Sequence, residues 1–417
     1  MYLAFSDQPL PLIVKSSLFL AGPSPRSKDV LDWKKEAVEL LKKLNFDGTV
    51  YIPVPKDFFL TGGPQSATWH YDNQIAWECA ARARADITVF WVPRSIKGEM
   101  PAFTTNIEFG EDLNSGKINY GRPLTAEKCR YLDLRAKEIG AVIYDSLEEI
   151  LTATVKTLGE GAYRVGGEVQ VPLFVWQSEQ FQSWYQQLKN NGNRLDEALV
   201  LSHFKLTNGE LFSFTLKVKV WIAKEARVKD NEFIFSRKDI SSVVAYHLNE
   251  NALFLLLVKE FRSSVRNQFG YVYELPSGSA SKAGVDAKEN AQHELAEETG
   301  VVISDLERFV KIGERQLVSN LLTHTSSTYA VELTVKEVQE ITEREHKNVT
   351  FGVTVDTEVT KPVLIDFEKL EHYPVDYSTI GQIYAALQQT KTLNKHYDNV
   401  LLRRNPDTLT FDEPALP

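Results

Sequence analysis

The segment 278–301 places three glutamates, Glu294, Glu297 and Glu298, at positions i, i+3 and i+4. On an α-helix this spacing gathers the three carboxylates onto one face. Adjacent like charges are costly unless a cation lies among them, and ligands that are all oxygen favour a hard ion such as Mg²⁺ or Mn²⁺. A glycine-containing loop precedes the helix, and Gly300 ends it. The segment therefore predicts a loop–helix metal site, and the alternative is a solvated acidic helix end.

These residues resemble the Nudix box, a motif of metal-dependent diphosphate hydrolases. The second half of the box is matched by Glu294, Leu295, Glu297, Glu298, Gly300 and Val301, and the lead-in is matched by Glu274 to Gly278. The first half departs from the pattern, because His293 replaces an arginine, Gly284 and Val285 occupy the region of a glutamate, and the loop is one residue longer. The resemblance implies that Glu294, Glu297, Glu298 and the Gly278 carbonyl bind Mg²⁺ or Mn²⁺, with Glu298 as the catalytic residue.

Sequence upstream of the box resembles the ADP-ribose pyrophosphatase branch of that family. Lys259-Glu-Phe-Arg262 follows an apolar strand, and Glu274-Leu-Pro276 leads into the box. The resemblance implies that Arg262, Glu274 and Arg315 face the substrate, although Arg262 and Glu274 could equally form a structural ion pair. The general base stays open among four later acids, Glu340, Glu343, Glu345 and Glu358.

Length and composition limit the remaining possibilities. A chain of 417 residues predicts two domains, and a net charge of −9 gives no bias towards nucleic-acid polymers. The two cysteines, Cys79 and Cys129, lack metal-ligand spacing, which is typical of a reducing cytoplasm. The longest apolar run, 252–258, is too short to span a membrane. We therefore expect a cytoplasmic protein that acts on small molecules.

The first part of the chain alternates strand and helix patterns from about residue 16 to residue 158. Apolar runs at 17–21, 49–52, 87–92 and 141–144 predict buried strands, with helical periodicity between them. This alternation predicts a parallel, Rossmann-like α/β sheet whose ligand lies at the carboxyl ends of the strands. Glycine-rich sequence begins at 159. We predict an α/β domain at 1–158, a linker at 159–172, and an α+β domain of Nudix fold, an α/β/α sandwich with an N-terminal extension, at 173–417.

Two acids mark the candidate site of the first domain. Glu78 lies on a predicted helix eight residues before Asp86, and Glu108 lies in the first turn of the helix that follows the third strand. A first-turn acid often does no more than interact with the helix dipole. Together with Gly22-Pro23 after the first strand and the Glu108-x-Gly110 pattern, however, these residues resemble the nucleoside 2-deoxyribosyltransferase family over about the first third of the chain.

This second resemblance implies a role for each matching residue. Glu108 would be the nucleophile that attacks the anomeric carbon, and Glu78, where the family commonly has aspartate, would position the sugar or the departing base. The implied substrate-binding residues are Gly22, Pro23, Asp86, Asn106 and Gly110. Arg26 and Arg94 are candidate phosphate contacts, with simple surface charge as the alternative.

The chemistry would be that of a retaining glycosidase, in which a carboxylate stabilises an oxocarbenium-like transition state and then bonds covalently. Water as the acceptor would make the domain a hydrolase, and a second base would make it a transferase.

The leading hypothesis is a bifunctional nucleotide-processing enzyme that cuts an N-glycosidic bond in one domain and a phosphoanhydride in the other. In the first alternative, the Nudix-like domain senses a nucleotide without turnover and regulates the glycosidase. In the second, the protein processes NAD or ADP-ribose derivatives. Both families commonly form dimers, so a homo-oligomer is expected by analogy.

Overall fold

The structure, a computed structural model, describes residues 1–25, 30, 32–62, 70–96, 100–249, 252–279, 284–352 and 358–390. The chain divides into two compact units, Met1–Ser236 and Arg237–Pro417. This division differs from the predicted boundaries at 158 and 172, because residues 159–236 belong to the first unit.

The first unit is built on a parallel sheet of six strands, which confirms the predicted α/β class for this part of the chain. In spatial order the strands are β1 (Tyr2–Phe5), β4 (Thr49–Ile52), β3 (Ser17–Ala21), β5 (Ile87–Trp91), β6 (Ile118–Gly121) and β7 (Ile143–Tyr144). The strands predicted at 17–21 and 49–52 are confirmed with those bounds, whereas the last predicted strand is shortened to two residues. The pattern does not predict β1 and β6, each of which is only four residues long.

Helices cover both faces of this sheet. They are α1 (Trp33–Lys43), α2 (Lys56–Thr61), α3 (Tyr71–Arg84), α4 (Phe103–Asp112), α5 (Arg130–Glu138) and α6 (Leu147–Leu158). Successive residues of a strand point to opposite faces, so Leu18 and Leu20 pack with α1 and α6, whereas Phe19 and Ala21 pack with α3, α4 and α5. Both faces are buried, which explains why the strands read as continuous apolar runs.

A second, three-stranded sheet completes the first unit. Its spatial order is β11 (Arg227–Arg237), β10 (Leu211–Ile222) and β9 (Arg194–Lys205). Helix α7 (Leu173–Trp176) supplies Val175 and helix α8 (Glu179–Asn190) supplies Phe181 and Tyr185 to a core that also contains Phe214 and Leu216 of β10.

The segment 159–172, predicted as a linker, contains buried residues that pack with the first unit. Arg164 lies in β8 (Arg164–Val165), which pairs with β2 (Ile13–Val14), and its side chain is fully buried. Its Nη1 and Nη2 atoms donate to Asp86 Oδ1 at 2.7 Å and to Asp86 Oδ2 at 2.6 Å. The backbone N–H groups of Ser17 and Leu173 donate to the same carboxylate at 2.8 and 2.9 Å.

Asp86 therefore forms a structural ion pair, which contradicts its predicted role in substrate binding. It precedes β5, so it lies at the amino edge of the sheet, away from the carboxyl edge where ligands of parallel sheets bind.

The second unit contains a mixed sheet between two layers of helices. The path of hydrogen-bonded neighbours is β14 (Tyr271–Glu274), β13 (Leu253–Phe261), β12 (Ile240–Leu248), β17 (Thr325–Glu332) and β16 (Val310–Gln316), with β15 (Ser277–Gly278) paired to β12 and β18 (Lys361–Asp366) paired to β13. Val243 and Ala245 pack with α9 (Ala287–Thr299) and α10 (Val335–His346), whereas Val244 and Tyr246 pack with α11 (Tyr377–Gln389). This arrangement agrees with the predicted α/β/α layering.

Within the part of the chain that the structure describes, every helix is too short or too polar to traverse a lipid bilayer.

We expect Asp86→Ala to lower the free energy of unfolding by about 3–5 kcal/mol, because it leaves the guanidinium of Arg164 buried without a counter-charge. Urea titration followed by circular dichroism measures the change. Asp47→Ala, which removes the exposed Lys15–Asp47 pair at 2.8 Å, is the control and should leave the midpoint nearly unchanged. Equal midpoints for the two variants would contradict a structural role for Asp86.

Candidate active sites

A cleft of about 200 Å³ lies at the carboxyl edge of the parallel sheet. Its lining includes Gly22, Pro23, Glu78 and Glu108, four residues that the sequence predicts for one site. The first two follow β3, Glu78 lies on α3 and Glu108 lies on α4. The remaining lining residues are Phe19, Ala21, Ser24, Pro53, Tyr71, Gln74, Pro101, Ala102, Phe103, Thr104 and Thr105.

Gly22 is required by the packing of the strand ends. Its φ of +151° lies in a region that favours glycine, and an added Cβ would come within 2.1 Å of the Trp91 carbonyl oxygen and 2.8 Å of the Trp33 ring. Glycine at position 22 therefore allows the end of β3 to lie close to the end of β5.

Helix α4 directs only one of its faces into the cleft. Thr104, Thr105 and Glu108 are related by helical spacing and line it. Asn106 and Gly110 lie two residues to either side of Glu108, on the opposite side of the helix, and both are exposed. The structure thus contradicts their predicted contact with substrate in this cleft.

Asn106 and Arg94 instead brace the loop that leads into α4. Arg94 is buried and donates from Nη2 to Asn106 Oδ1 in a short hydrogen bond, and from Nη1 to the Lys128 carbonyl oxygen at 2.9 Å. Arg94 is therefore engaged within the protein, which argues against a phosphate contact. Arg26, the other candidate, lies outside the described residues.

Glu108 is an acid whose protonation is set by its surroundings. Burial raises the pKa of Glu108 to about 7, with the charges of Glu78 and Asp112 raising it further and those of Arg82 and Lys34 lowering it. Burial also raises the pKa of Glu78. Two titratable carboxyls with raised pKa values in one cleft are typical of acid–base and nucleophilic sites.

Two polar residues that the sequence reasoning missed support these acids. Gln74 donates from Nε2 to Glu78 Oε1 at 2.8 Å and to the Pro53 carbonyl oxygen at 3.1 Å. Arg82 donates to the Glu108 carbonyl oxygen at 3.0 Å and to Glu111 at 2.6 Å, which fixes α3 against α4. Both lie four residues from Glu78, so helical spacing alone could have found them.

The acidic helix of the second unit forms as predicted. α9 begins after Asp286, whose Oδ1 accepts from the Lys288 N–H at 2.8 Å, and ends at Gly300 with φ +71°. Glu298 is 3% exposed, and its Oε2 accepts from the Ser277 N–H at 3.1 Å. Glu294 is half-buried, whereas Glu297 is exposed.

Gly278 lies directly against the carboxylate of Glu294. An added Cβ at Gly278 would come within 2.5 Å of Glu294 Oε2, so a larger residue would displace this acid. The Gly278 carbonyl oxygen, predicted as a metal ligand, accepts from Asn290 Nδ2 at 2.9 Å. The loop and the helix are thereby joined by an amide that the sequence reasoning did not single out.

Arg262 forms the structural ion pair that was the alternative to substrate contact. It lies 2.8 Å from Glu274 and 2.8 Å from Glu260 Oε2. The Glu260 carboxylate is buried, and its Oε2 lacks a partner in hydrogen-bond geometry, so its contact with Arg262 is electrostatic. Arg315 is exposed on β16, and among the described residues no hydrogen bond or ion pair links it to the glutamates of α9.

The donor set of this cluster fits a divalent cation in chemical type. Burial raises the pKa values of Glu294 and Glu260 to about 7 and that of Glu298 well above its usual range, with neighbouring carboxylates adding to each shift. A hard cation would relieve the repulsion between these buried carboxylates.

The same side chains do not yet form a coordination sphere. In the described ranges, no three His, Cys, Asp or Glu side chains are grouped closely enough to hold a metal ion. Binding of a cation would draw such oxygens together and release any protons they carry.

Of the four candidate bases, Glu358 is the one coupled to this cluster, because its charge raises the pKa values of Glu260, Glu294 and Glu298. Glu340 instead lies 3.4 Å from Arg344, and Glu343 lies 3.4 Å from Lys347. The charge of Glu345, together with burial, raises the pKa of Tyr273.

Comparison with known proteins gives one family match and one structural neighbour. Residues 15–120, within the first unit, match the family model described as "Nucleoside 2-deoxyribosyltransferase like". No curated protein matches the sequence of the chain. Among solved structures, the NUDIX domain of Shewanella oneidensis NrtR, complexed with ADP ribose, is 14% identical over 36% of this chain and 87% of its own, with a TM-score of 0.27. A TM-score of this size does not establish a shared fold.

We expect Glu108→Gln to stabilise the protein at pH 8.5 but not at pH 4.5. A carboxyl whose pKa is raised to about 7 by folding loses stability as pH rises through the interval from its usual value to 7, since the folded state then disfavours ionisation. The gain at high pH should be of the order of 1–3 kcal/mol. Thermal unfolding at both pH values measures it, with exposed Glu36→Gln as the control. A pH-independent effect of Glu108→Gln would contradict the burial of this charge.

Proposed function

We propose that the first unit cleaves the N-glycosidic bond of a nucleoside or nucleotide, with Glu108 as nucleophile. The observation that carries the proposal is the convergence of Glu78, Glu108 and the Gly22–Pro23 turn on one cleft at the carboxyl edge of a parallel sheet. The match of residues 15–120 to the deoxyribosyltransferase-like family supports the same chemistry.

In this mechanism an ionised Glu108 carboxylate attacks the anomeric carbon. The bond from that carbon to the base nitrogen breaks, and its electron pair stays with the base. Glu78, oriented by Gln74, holds either a sugar hydroxyl or the proton that the departing base takes up. Water or a second base then attacks the same carbon and releases Glu108, so the nature of the acceptor decides between hydrolysis and transfer.

The proposal is tested by base release from a panel of nucleosides and nucleoside 5′-phosphates in EDTA, followed by mass spectrometry. Glu108→Gln should lower the rate by roughly a thousandfold or more, because it removes the nucleophile. The wild-type rate should rise with pH and level off above about 7, as Glu108 ionises. Exposed Glu138→Gln is the matched control, and an active Glu108→Gln variant would refute the assignment.

We propose a second activity for the second unit, hydrolysis of the diphosphate of a nucleoside diphosphate derivative. It is supported by the loop–helix geometry in which Gly278 contacts Glu294 and the Ser277 N–H bonds to buried Glu298. Glu294, Glu297 and Glu298 would hold Mg²⁺ or Mn²⁺, with Glu260 as an additional oxygen donor. When bound, such an ion would neutralise phosphate charge and acidify the attacking water.

The chain's own residues have separate tasks in this hydrolysis. Glu358 would take the proton of the water that attacks phosphorus, while the phosphoanhydride bond breaks and its electron pair leaves with the departing phosphate oxygen. Arg262, which is paired with Glu274, would orient Glu260 of β13. We also propose that Arg262, Glu274 and Arg315 contact the substrate.

Metal binding distinguishes this activity from a simple acidic surface. Mn²⁺ should raise the melting temperature of the wild-type chain and of exposed Glu289→Gln, but not that of Glu298→Gln, which removes a buried ligand. Hydrolysis of ADP-ribose or a dinucleotide should fall by about a hundredfold or more in Glu298→Gln. Equal Mn²⁺ stabilisation and turnover in Glu298→Gln and wild type would refute the site.

One outcome would favour the sensing alternative. His293, which replaces the arginine of the Nudix pattern, is exposed, and the amide of Asn290 takes over the contact between helix and loop. Calorimetry that detects nucleotide binding in Mn²⁺ without phosphate-bond cleavage would assign a regulatory role to the second unit.

Assembly and location complete the proposal. Phe103 and Ile107, each 64% exposed, lie on α4 beside the cleft, and a second copy of the chain would cover such apolar residues. Sedimentation equilibrium tests the proposed homo-oligomer.

The two cysteines are both free, as we expect for the proposed cytoplasmic location.

A further inference from the structure

Lys34 is a fully buried lysine close to the cleft of the first unit. It lies in the first turn of α1, and its residue exposure is 0%. Its Nζ atom lies 3.1 Å from Ser24 Oγ and 3.4 Å from the Pro23 carbonyl oxygen, both on residues that line the cleft. The sequence of α1 contains no motif that predicts the burial of this lysine.

Among the described residues, Lys34 has no carboxylate partner at hydrogen-bond distance. The nearest ion-pair contact among the described residues is with Asp32 Oδ1 at 3.9 Å, and the ammonium also lies 4.9 Å from the centre of the Trp33 ring. A buried ammonium of this kind costs several kcal/mol unless opposite charge surrounds it. Burial accordingly lowers the pKa of Lys34.

The opposite charge comes from the cleft. The carboxylates that face Lys34 and favour its charged form are Asp32 at the start of α1, Glu108 on α4 and Glu78 on α3. The charges that act on Glu108 in turn are those of Arg82, Glu78, Asp112 and Lys34. Lys34 and Arg82 are thus the two cations that support the ionised nucleophile, and only Lys34 also holds the Pro23–Ser24 turn.

We propose that Lys34 is a positioning residue of the N-glycosidic site, which anchors the Pro23–Ser24 turn and supplies the buried positive charge that keeps Glu108 ionised for attack. This inference rests on the proposed function of the first unit. Because Lys34 does not line the cleft, it acts through the turn and through Glu108 rather than on the substrate.

The test compares Lys34→Met and Lys34→Arg in the full chain. Lys34→Met keeps the length and the apolar stem but removes the charge, so base release should fall about tenfold at pH 6 and much less at pH 9, where Glu108 ionises without help. Lys34→Arg retains the charge and should recover most of the rate at pH 6. Lys42→Met, which removes an exposed lysine of the same helix, is the matched control and should match wild type.

A merely structural role for Lys34 would give a different pattern. It would lower the rate by the same factor at every pH, whereas a role through the charge of Glu108 gives a loss that shrinks as pH rises. A uniform loss across pH, or a rate within twofold of wild type at pH 6, would overturn the proposal.

A direct titration keeps this test independent of the enzymatic activity. In protein labelled with ¹³C at the glutamate carboxyl carbons, the resonance absent from Glu108→Gln identifies Glu108. Its midpoint should rise by about one pH unit in Lys34→Met, which matches the tenfold loss of rate expected at pH 6. An unchanged midpoint would overturn the role of Lys34 even if no nucleoside proved to be a substrate, and lack of base release with a shifted midpoint would refute only the proposed function.

Discussion

The buried ion pair between Asp86 and Arg164 is the interaction on which the first unit depends. One carboxylate receives two guanidinium donors and the backbone N–H groups of Ser17 and Leu173. It therefore ties the amino ends of β3 and β5 to a segment almost eighty residues later in the chain. A charge pair that is excluded from water tolerates little change in geometry, because loss of either partner leaves the other uncompensated. The part of the segment that contains Arg164 is consequently buried within the first unit.

This arrangement separates a structural edge of the sheet from a chemical edge. At the amino edge the carboxylate of Asp86 is paired with Arg164. At the carboxyl edge, burial raises the pKa values of Glu78 and Glu108. The second unit has a comparable group of acids, because burial raises the pKa values of Glu260, Glu294 and Glu298, and the charges of Glu294 and Glu260 raise that of Glu298 further. In both units, the burial of carboxyl groups distinguishes the candidate site from the ordinary ion pairs of the surface.

Local patterns predicted much of this organisation. Apolar runs with two buried faces predict the strands at 17–21 and 49–52, and the i, i+3, i+4 spacing of Glu294, Glu297 and Glu298 predicts α9 with its end at Gly300. Helical spacing also separates Glu108, which enters the cleft, from Asn106 and Gly110, which do not. Here the resemblance to a family was less reliable than the geometry of the helix, because matching a motif does not say which face of the element meets the ligand.

Residue types and their periodicity were thus sufficient for the parallel sheet and the acidic helix, and the family resemblances added Glu78, Glu108 and Glu298 as candidate site acids. Contacts between residues far apart in the chain were decisive for the rest. Asp86 became structural through Arg164, Arg262 was engaged by Glu260 and Glu274, and Lys34 was buried against Pro23 and Ser24. Burial and the charge of neighbours set what an ionisable side chain can do, and both arise only when distant segments pack together.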